Sequence, residues 1–180
     1  MAFKKLALTT FFAGISCVSL NALAAPSAEV ILQGILTNTT CDVTINGGKS
    51  SLNVAVLSTS TSDAAKGFSG VNTISQQTVP MPVTLTNCTD TKAGSLLIQG
   101  TTSVGNNEQN IFVTKDSQTV GFIIEDEKGD TIINGKEVEV DFNDGKPVEQ
   151  YTFTVGMATT TPTPAAGSYS APILVSYIVN

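Results

Sequence analysis

Apolar and polar positions alternate with a period of two through most of the chain, which sends successive side chains to opposite faces of an extended backbone. The alternation predicts strands at Glu29 to Thr37, Asp42 to Ile45, Ser51 to Leu57, Val79 to Asn87, Ser95 to Gly100, Ile111 to Thr114, Val120 to Glu125, Lys136 to Phe142, Tyr151 to Val155 and Pro172 to Val179. Turn-forming clusters separate them: Asn46-Gly47-Gly48, Gly105-Asn106-Asn107, Glu127-Lys128-Gly129-Asp130, Asn134-Gly135 and Asn143-Asp144-Gly145. Thr159 to Ser168, built from Thr, Pro, Ala and Gly, reads as an extended loop before the last strand. Short strands divided in this way predict a β-sandwich.

Composition narrows the class. Thr, Val and Ile supply 55 of the 180 residues, and β-branched side chains restrict χ1 in a helix while suiting a pleated surface, so the reading is all-β. The length suits one domain. The chain has no His, Trp or Arg. Without His, neither a Ser/His/Asp triad, a Cys/His dyad nor an imidazole metal ligand can be built. Nine Lys against 15 acidic residues give no phosphate-tracking surface, so nucleic acid is not expected as a partner.

The first residues read as an export address. Lys4 and Lys5 precede an apolar stretch from Leu6 to Leu20, followed by Ala22-Leu23-Ala24 with small residues where a signal peptidase inspects them. Cleavage is expected between Ala24 and Ala25, since cutting one residue later would leave Pro26 first. The apolar stretch is shorter than the roughly 20 residues of a spanning helix. Residues 1–24 are thus read as a signal peptide, and the remainder carries 7 Lys against 15 acidic residues, a formal charge of −8. Cys17 leaves with the signal. Cys41 and Cys88 remain in a compartment where thiols oxidise, so one disulfide is expected, with two buried free thiols as the alternative. On the chain-entropy argument such a crosslink stabilises by about 4 kcal/mol.

After Ala25-Pro26-Ser27-Ala28, apolar residues or glycine recur at Val30, Leu32, Gly34 and Leu36, all on one side of a strand. Glycine inside such a stripe weakens a strand unless another backbone must approach closely. An ordinary first strand of the sandwich is an equally open reading of this pattern.

Several features in order resemble the pilin subunits of chaperone–usher, type 1-like fimbriae. They are the signal peptide, the alternating leader around Gly34, Cys41 seven residues later and Cys88 closing Pro82-Val83-Thr84-Leu85-Thr86-Asn87-Cys88. To these are added Val120-Gly121-Phe122-Ile123-Ile124 running into an acidic turn, and the last strand Ile173-Leu174-Val175-Ser176-Tyr177 preceded by Gly167. The resemblance implies an incomplete immunoglobulin-like β-sandwich lacking its last strand, residues 38–180, with an N-terminal donor-strand extension, residues 25–37. It implies that Val30, Leu32, Gly34 and Leu36 are donor residues and that Cys41 and Cys88 form the disulfide. Ile173, Val175, Tyr177 and Val179 would lie on the last strand, which borders the groove and binds the chaperone. The family's next-to-last aromatic is absent here. Val179 is penultimate and Tyr177 stands two residues earlier, on the same strand face, so either can take the aromatic's place.

The implied role is a shaft subunit that polymerises by donor-strand exchange into adhesive filaments, exported through the periplasm to the cell surface. A minor tip or adaptor subunit, or a single-domain adhesin binding a host glycan or protein, is the alternative. The implied partners are other copies or related fimbrial subunits, a periplasmic chaperone, an outer-membrane usher and, for an adhesive role, a host surface receptor. Such a subunit needs no cofactor and no metal.

Enzymatic chemistry finds little support. Nine acids fall between Glu125 and Glu149, but Asp141-Phe142-Asn143-Asp144-Gly145 places calcium-loop ligands one residue out of phase and lacks the closing Glu. A hairpin turn on a solvated edge explains this stretch better. Paired glycosidase carboxylates would want stacking aromatics, and this stretch offers mainly Phe142 and Tyr151. Ser62 and Lys66 match no strict dyad spacing, and no glycine-rich loop carries a Walker-type Lys-Ser/Thr. Asn38-Thr39-Thr40 and Asn87-Cys88-Thr89 are formal glycosylation acceptors that a bacterial periplasm leaves unused. The protein is therefore read as a non-enzyme.

Overall fold

The computed structural model of the chain describes residues 41–59, 67–87, 94–140 and 150–179. The expected signal peptide, the donor segment with Val30, Leu32, Gly34 and Leu36, and Cys88 lie outside the described residues. So do Ser62 and Lys66, the Asn143-Asp144-Gly145 turn and the side chain of Val179.

The fold is all-β, with eight strands among the described residues: β1 (Asp42–Ile45), β2 (Thr78–Thr86), β3 (Gly94–Thr102), β4 (Phe112–Val113), β5 (Val120–Glu125), β6 (Glu137–Val140), β7 (Gln150–Thr159) and β8 (Ile173–Val179). Asn46–Gly48 forms a single 3-10 turn. Asn46 at φ 51° and Gly47 at φ 61° are both left-handed, which a cluster of Asn and Gly accepts at little cost.

One face of the sandwich runs β1-β2-β7-β5-β4, and the other is β6-β3-β8. All these pairings are antiparallel. β3 belongs to both faces: Gly94 to Leu97 pair with β6 on one edge and β8 on the other, while Thr101 and Thr102 reach β4. The alternation seen in the sequence now has a partner surface. Met81, Val83 and Leu85 of β2 meet Leu96 and Ile98 of β3, Ile124 of β5, Phe153 and Val155 of β7, and Val175 and Tyr177 of β8 in one core. The opposite side of the larger face is covered in part by residues 71–75. Ile74 packs there against Ile111, Val113, Ile123 and Ala158, and Ser75 donates its N–H to the Met157 carbonyl at 2.8 Å while its Oγ accepts the Met157 N–H at 3.1 Å.

Three expectations need correction. Among the described residues Ser51 to Leu57 pairs with no strand; Leu52 and Val54 are half-buried and Asn53 exposed, but the phase breaks at Ala55, so that Val56 is exposed and Leu57 half-buried. β7 continues past Val155 to Thr159, because Gly156 and Ala158 pair with Ile123 and Gly121 of β5. Ile111 to Thr114 contracts to the two residues of β4, limited by its short register with β3 and β5.

Candidate functional site

The segment 50–58, which belongs to no strand, and the segment 165–173 leading into β8 are the two banks of a long apolar cleft. At one end the cleft is lined by Ile45, Lys49, Leu52, Pro172 and Ile173, with Met81, Phe112 and Ile124 of the core as its floor, and encloses about 750 Å³. The other end runs between Val56 and Leu57 on one bank and Ala165 to Ser168 on the other, over Phe68 and Met157, and adds about 770 Å³. Leu52, Asn53, Val54, Phe122 and Tyr169 line both stretches, so the two form one furrow.

The floor is the hydrophobic core itself. Phe122 shares a strand face with Ile124, yet it is only half-buried because the cleft opens above it, whereas Ile124 is 2% exposed. Phe112 and Val155, also on the floor, are 0% and 5% exposed. The banks are held by polar contacts. Asn46 Nδ2 donates to the Ser51 carbonyl at 2.8 Å, Thr114 Oγ1 donates to the Ser170 carbonyl at 2.6 Å, and the Tyr169 hydroxyl donates to the Ala165 carbonyl at 2.8 Å. Lys49 is the one charged residue among the described residues lining the cleft.

Of the last-strand residues singled out from the sequence, Ile173 lines the cleft, while Val175 and Tyr177 are buried in the core behind it. Tyr177 lies over Gly94 of β3, where a Cβ would collide with its ring and hydroxyl and with the Ile178 carbonyl. β8 pairs with β3, and no strand among the described residues pairs with its other edge. Cys41 is disulfide-bonded. It precedes β1, whose register sets Asp42 against Thr86, and Asn87 Nδ2 donates to Asp42 Oδ2 at 2.7 Å.

Sequence reasoning missed the cleft residues Leu52, Val54, Phe122 and Tyr169 as a site. A signal was present in the apolar residues Leu52, Val54 and Leu57 after a Gly-Gly turn, but only spatial placement shows that they face an opening.

The acidic stretch is occupied with its own backbone. Asp126 Oδ1 accepts the N–H groups of Lys128 and Asp130 at 2.9 and 2.8 Å, shaping the turn between β5 and Thr131. Glu127 Oε1 accepts the Thr152 N–H at 3.0 Å. Burial, and then the neighbouring Asp126 charge, push the Glu125 carboxyl above its ordinary value. Burial likewise raises the Tyr151 hydroxyl, with a smaller opposing effect from its hydrogen bond to the Glu127 backbone. Among the described residues no cluster of three or more His, Cys, Asp or Glu could hold a metal ion.

The sequence matches no protein-family model and no curated protein. The fold does have counterparts among solved structures. It is similar to the P pilus rod subunit PapA, at a TM-score of 0.59 and 15% identity over 86% of this chain and 100% of that one. It is similar to a subunit of a chaperone-usher pilus, at 0.52 and 16% identity over 86% and 96%. A Burkholderia pseudomallei antigen and type I fimbria protein superposes at 0.51 with 19% identity over 77% and 94%. The chain thus has the fold of chaperone–usher pilus subunits.

Proposed function

We propose that this chain is a structural subunit of a chaperone–usher fimbria, exported by cleavage after Ala24 and polymerised when residues 25–37 of one copy enter the cleft of the next. The observation that carries this reading is the cleft: an apolar furrow floored by Phe112, Phe122 and Ile124 beside the last strand. Its likeness in fold to pilus subunits supports the same reading. An apolar slot next to a strand edge is costly in water, and an extended peptide can cover both at once. Backbone hydrogen bonds then supply affinity, and alternate side chains supply register. Val30, Leu32 and Leu36 would each contribute about 1.5–3 kcal/mol on full burial. Donor and cleft lie on different parts of one subunit, so the contact is head-to-tail and propagates.

The same reading assigns Cys88 as the partner of Cys41, since β1 and β2 are paired up to Asp42 and Thr86. It assigns the cleft and last strand, including Ile173, Val175, Tyr177 and Val179, to a periplasmic chaperone before assembly and an outer-membrane usher during it. The fold requires no catalytic group for this work.

The test is a thermal melt. A peptide of residues 25–37 should raise the melting temperature of a chain beginning at Asn38 by about 5 °C or more, and the same peptide with Gly34→Leu should not. A truncated chain indifferent to both peptides would remove the basis of the reading.

A further inference from the structure

We infer that Glu29 of one copy and Lys49 of the next form an ion pair that sets the direction and register in which the leading segment enters the cleft; the inference rests on the proposed donor role of residues 25–37. Glu29 is the only charged side chain between Ala25 and Thr37. Lys49 is the only charged side chain among the described residues lining the cleft, and it is exposed at its rim. The leading segment and the mouth therefore carry one side-chain charge each, of opposite sign.

Geometry places the two at the same end. Lys49 lies with Ile45, Pro172 and Ile173, while Val56, Leu57 and Ala165 line the far end, so the bank formed by residues 165–173 runs toward Lys49. Antiparallel addition is the more stable pairing, and a segment antiparallel to that bank has its N-terminal end beside Ile173. Glu29, immediately before Val30, arrives at Lys49. Parity agrees as well. With Val30, Leu32, Gly34 and Leu36 turned into the cleft, Glu29 belongs to the opposite, solvent-facing set, the side on which the Lys49 side chain is exposed. Slipping by one residue would turn Glu29 inward over Phe112 and Phe122, and reversing the segment would carry it away from Lys49 to the end lined by Val56, Leu57 and Ala165.

The test uses the full-length chain co-expressed with its fimbrial chaperone, comparing filament assembly for wild type, Glu29→Lys, Lys49→Glu and the double reversal. Each single reversal should slow assembly on the order of 2- to 5-fold, the span of an exposed pair, and the double reversal should restore it. Wild-type and doubly reversed assembly should slow as NaCl is raised, whereas the single variants should not. Singles that assemble like wild type, or a double reversal no faster than the singles, would overturn the ion pair. A control separates this from the donor reading: Leu32→Asp must abolish assembly, and if it does not, the donor role itself is wrong. Lys49→Gln, uncharged and exposed, guards against a folding defect and should fall between wild type and Lys49→Glu.

Discussion

At the scale of single residues, packing tolerates little change where two backbones approach. Gly121 of β5 lies against the Phe112 carbonyl, with Val113 Cγ1 2.6 Å and Ile111 Cγ2 3.0 Å from where a Cβ would stand. Gly121→Ala should lower stability by about 1–3 kcal/mol in denaturant melts. Phe153 and Phe122 make an informative contrast. Phe153 is fully buried, and Phe153→Ala should cost about 3–5 kcal/mol; Phe122→Ala should cost less in the isolated subunit, yet weaken uptake of the leading segment. Glu125 gives a pH signature. Its folded carboxyl is raised above the ordinary value of 4.5 by burial and by Asp126, so ionisation opposes folding. The sign follows: its favourable contribution is present below pH 4.5 and is lost as pH rises through the folded value. Glu125→Gln should therefore raise the melting temperature slightly at pH 7 and leave it unchanged near pH 3.5.

At the scale of elements, β1 and β5 have the bounds read from the sequence, β1 because it alternates exposed and half-buried residues, β5 because it is a short, largely buried apolar run, with turn residues closing both. The segment 51–57 shows the limit of that reasoning. Leu52, Val54 and Val56 alternate in sequence as a strand would, yet Val56 is exposed and Leu57 half-buried, so the same pattern serves a cleft bank whose phase shifts at Ala55. The continuation of β7 was hidden by Gly156, which has poor strand propensity but fits where a Cβ would strike Ile74. The cleft was illegible for a related reason: Ile45, Phe112, Phe122, Tyr169 and Ile173 come from distant parts of the chain, and no local pattern marks them as neighbours. Last-strand residues were legible because Ile173, Val175 and Tyr177 alternate cleanly with exposed or half-buried positions. Val54, on the bank, offers a test of the element as a whole. Val54→Lys should leave the folded subunit intact by circular dichroism and reduce binding of the 25–37 peptide at least 10-fold.

At the scale of the molecule, one chain supplies both a cleft and, in the proposed reading, the segment that fills it in a neighbour. A shaft subunit then predicts high copy number in filaments sheared from the cell surface, countable by quantitative mass spectrometry; a few copies per filament would instead favour the adaptor role. Replacing Cys41 and Cys88 by Ser should reduce periplasmic yield several-fold, consistent with the roughly 4 kcal/mol expected of such a crosslink. β3 has a further part at this scale. By pairing with β4, β6 and β8 it ties the two faces together, so damage to Leu96 or Ile98 should unfold both faces in one transition rather than two.

The disulfide at Cys41 stands immediately ahead of β1, a strand of only four paired residues. If successive copies are joined through the chain preceding Cys41, any pull along the fibre enters each subunit there. A covalent link at the point of entry transmits tension past the short ladder instead of peeling it residue by residue. Stretching single filaments in the presence of a reductant that reaches this bond should therefore lengthen them at lower force than stretching oxidised ones.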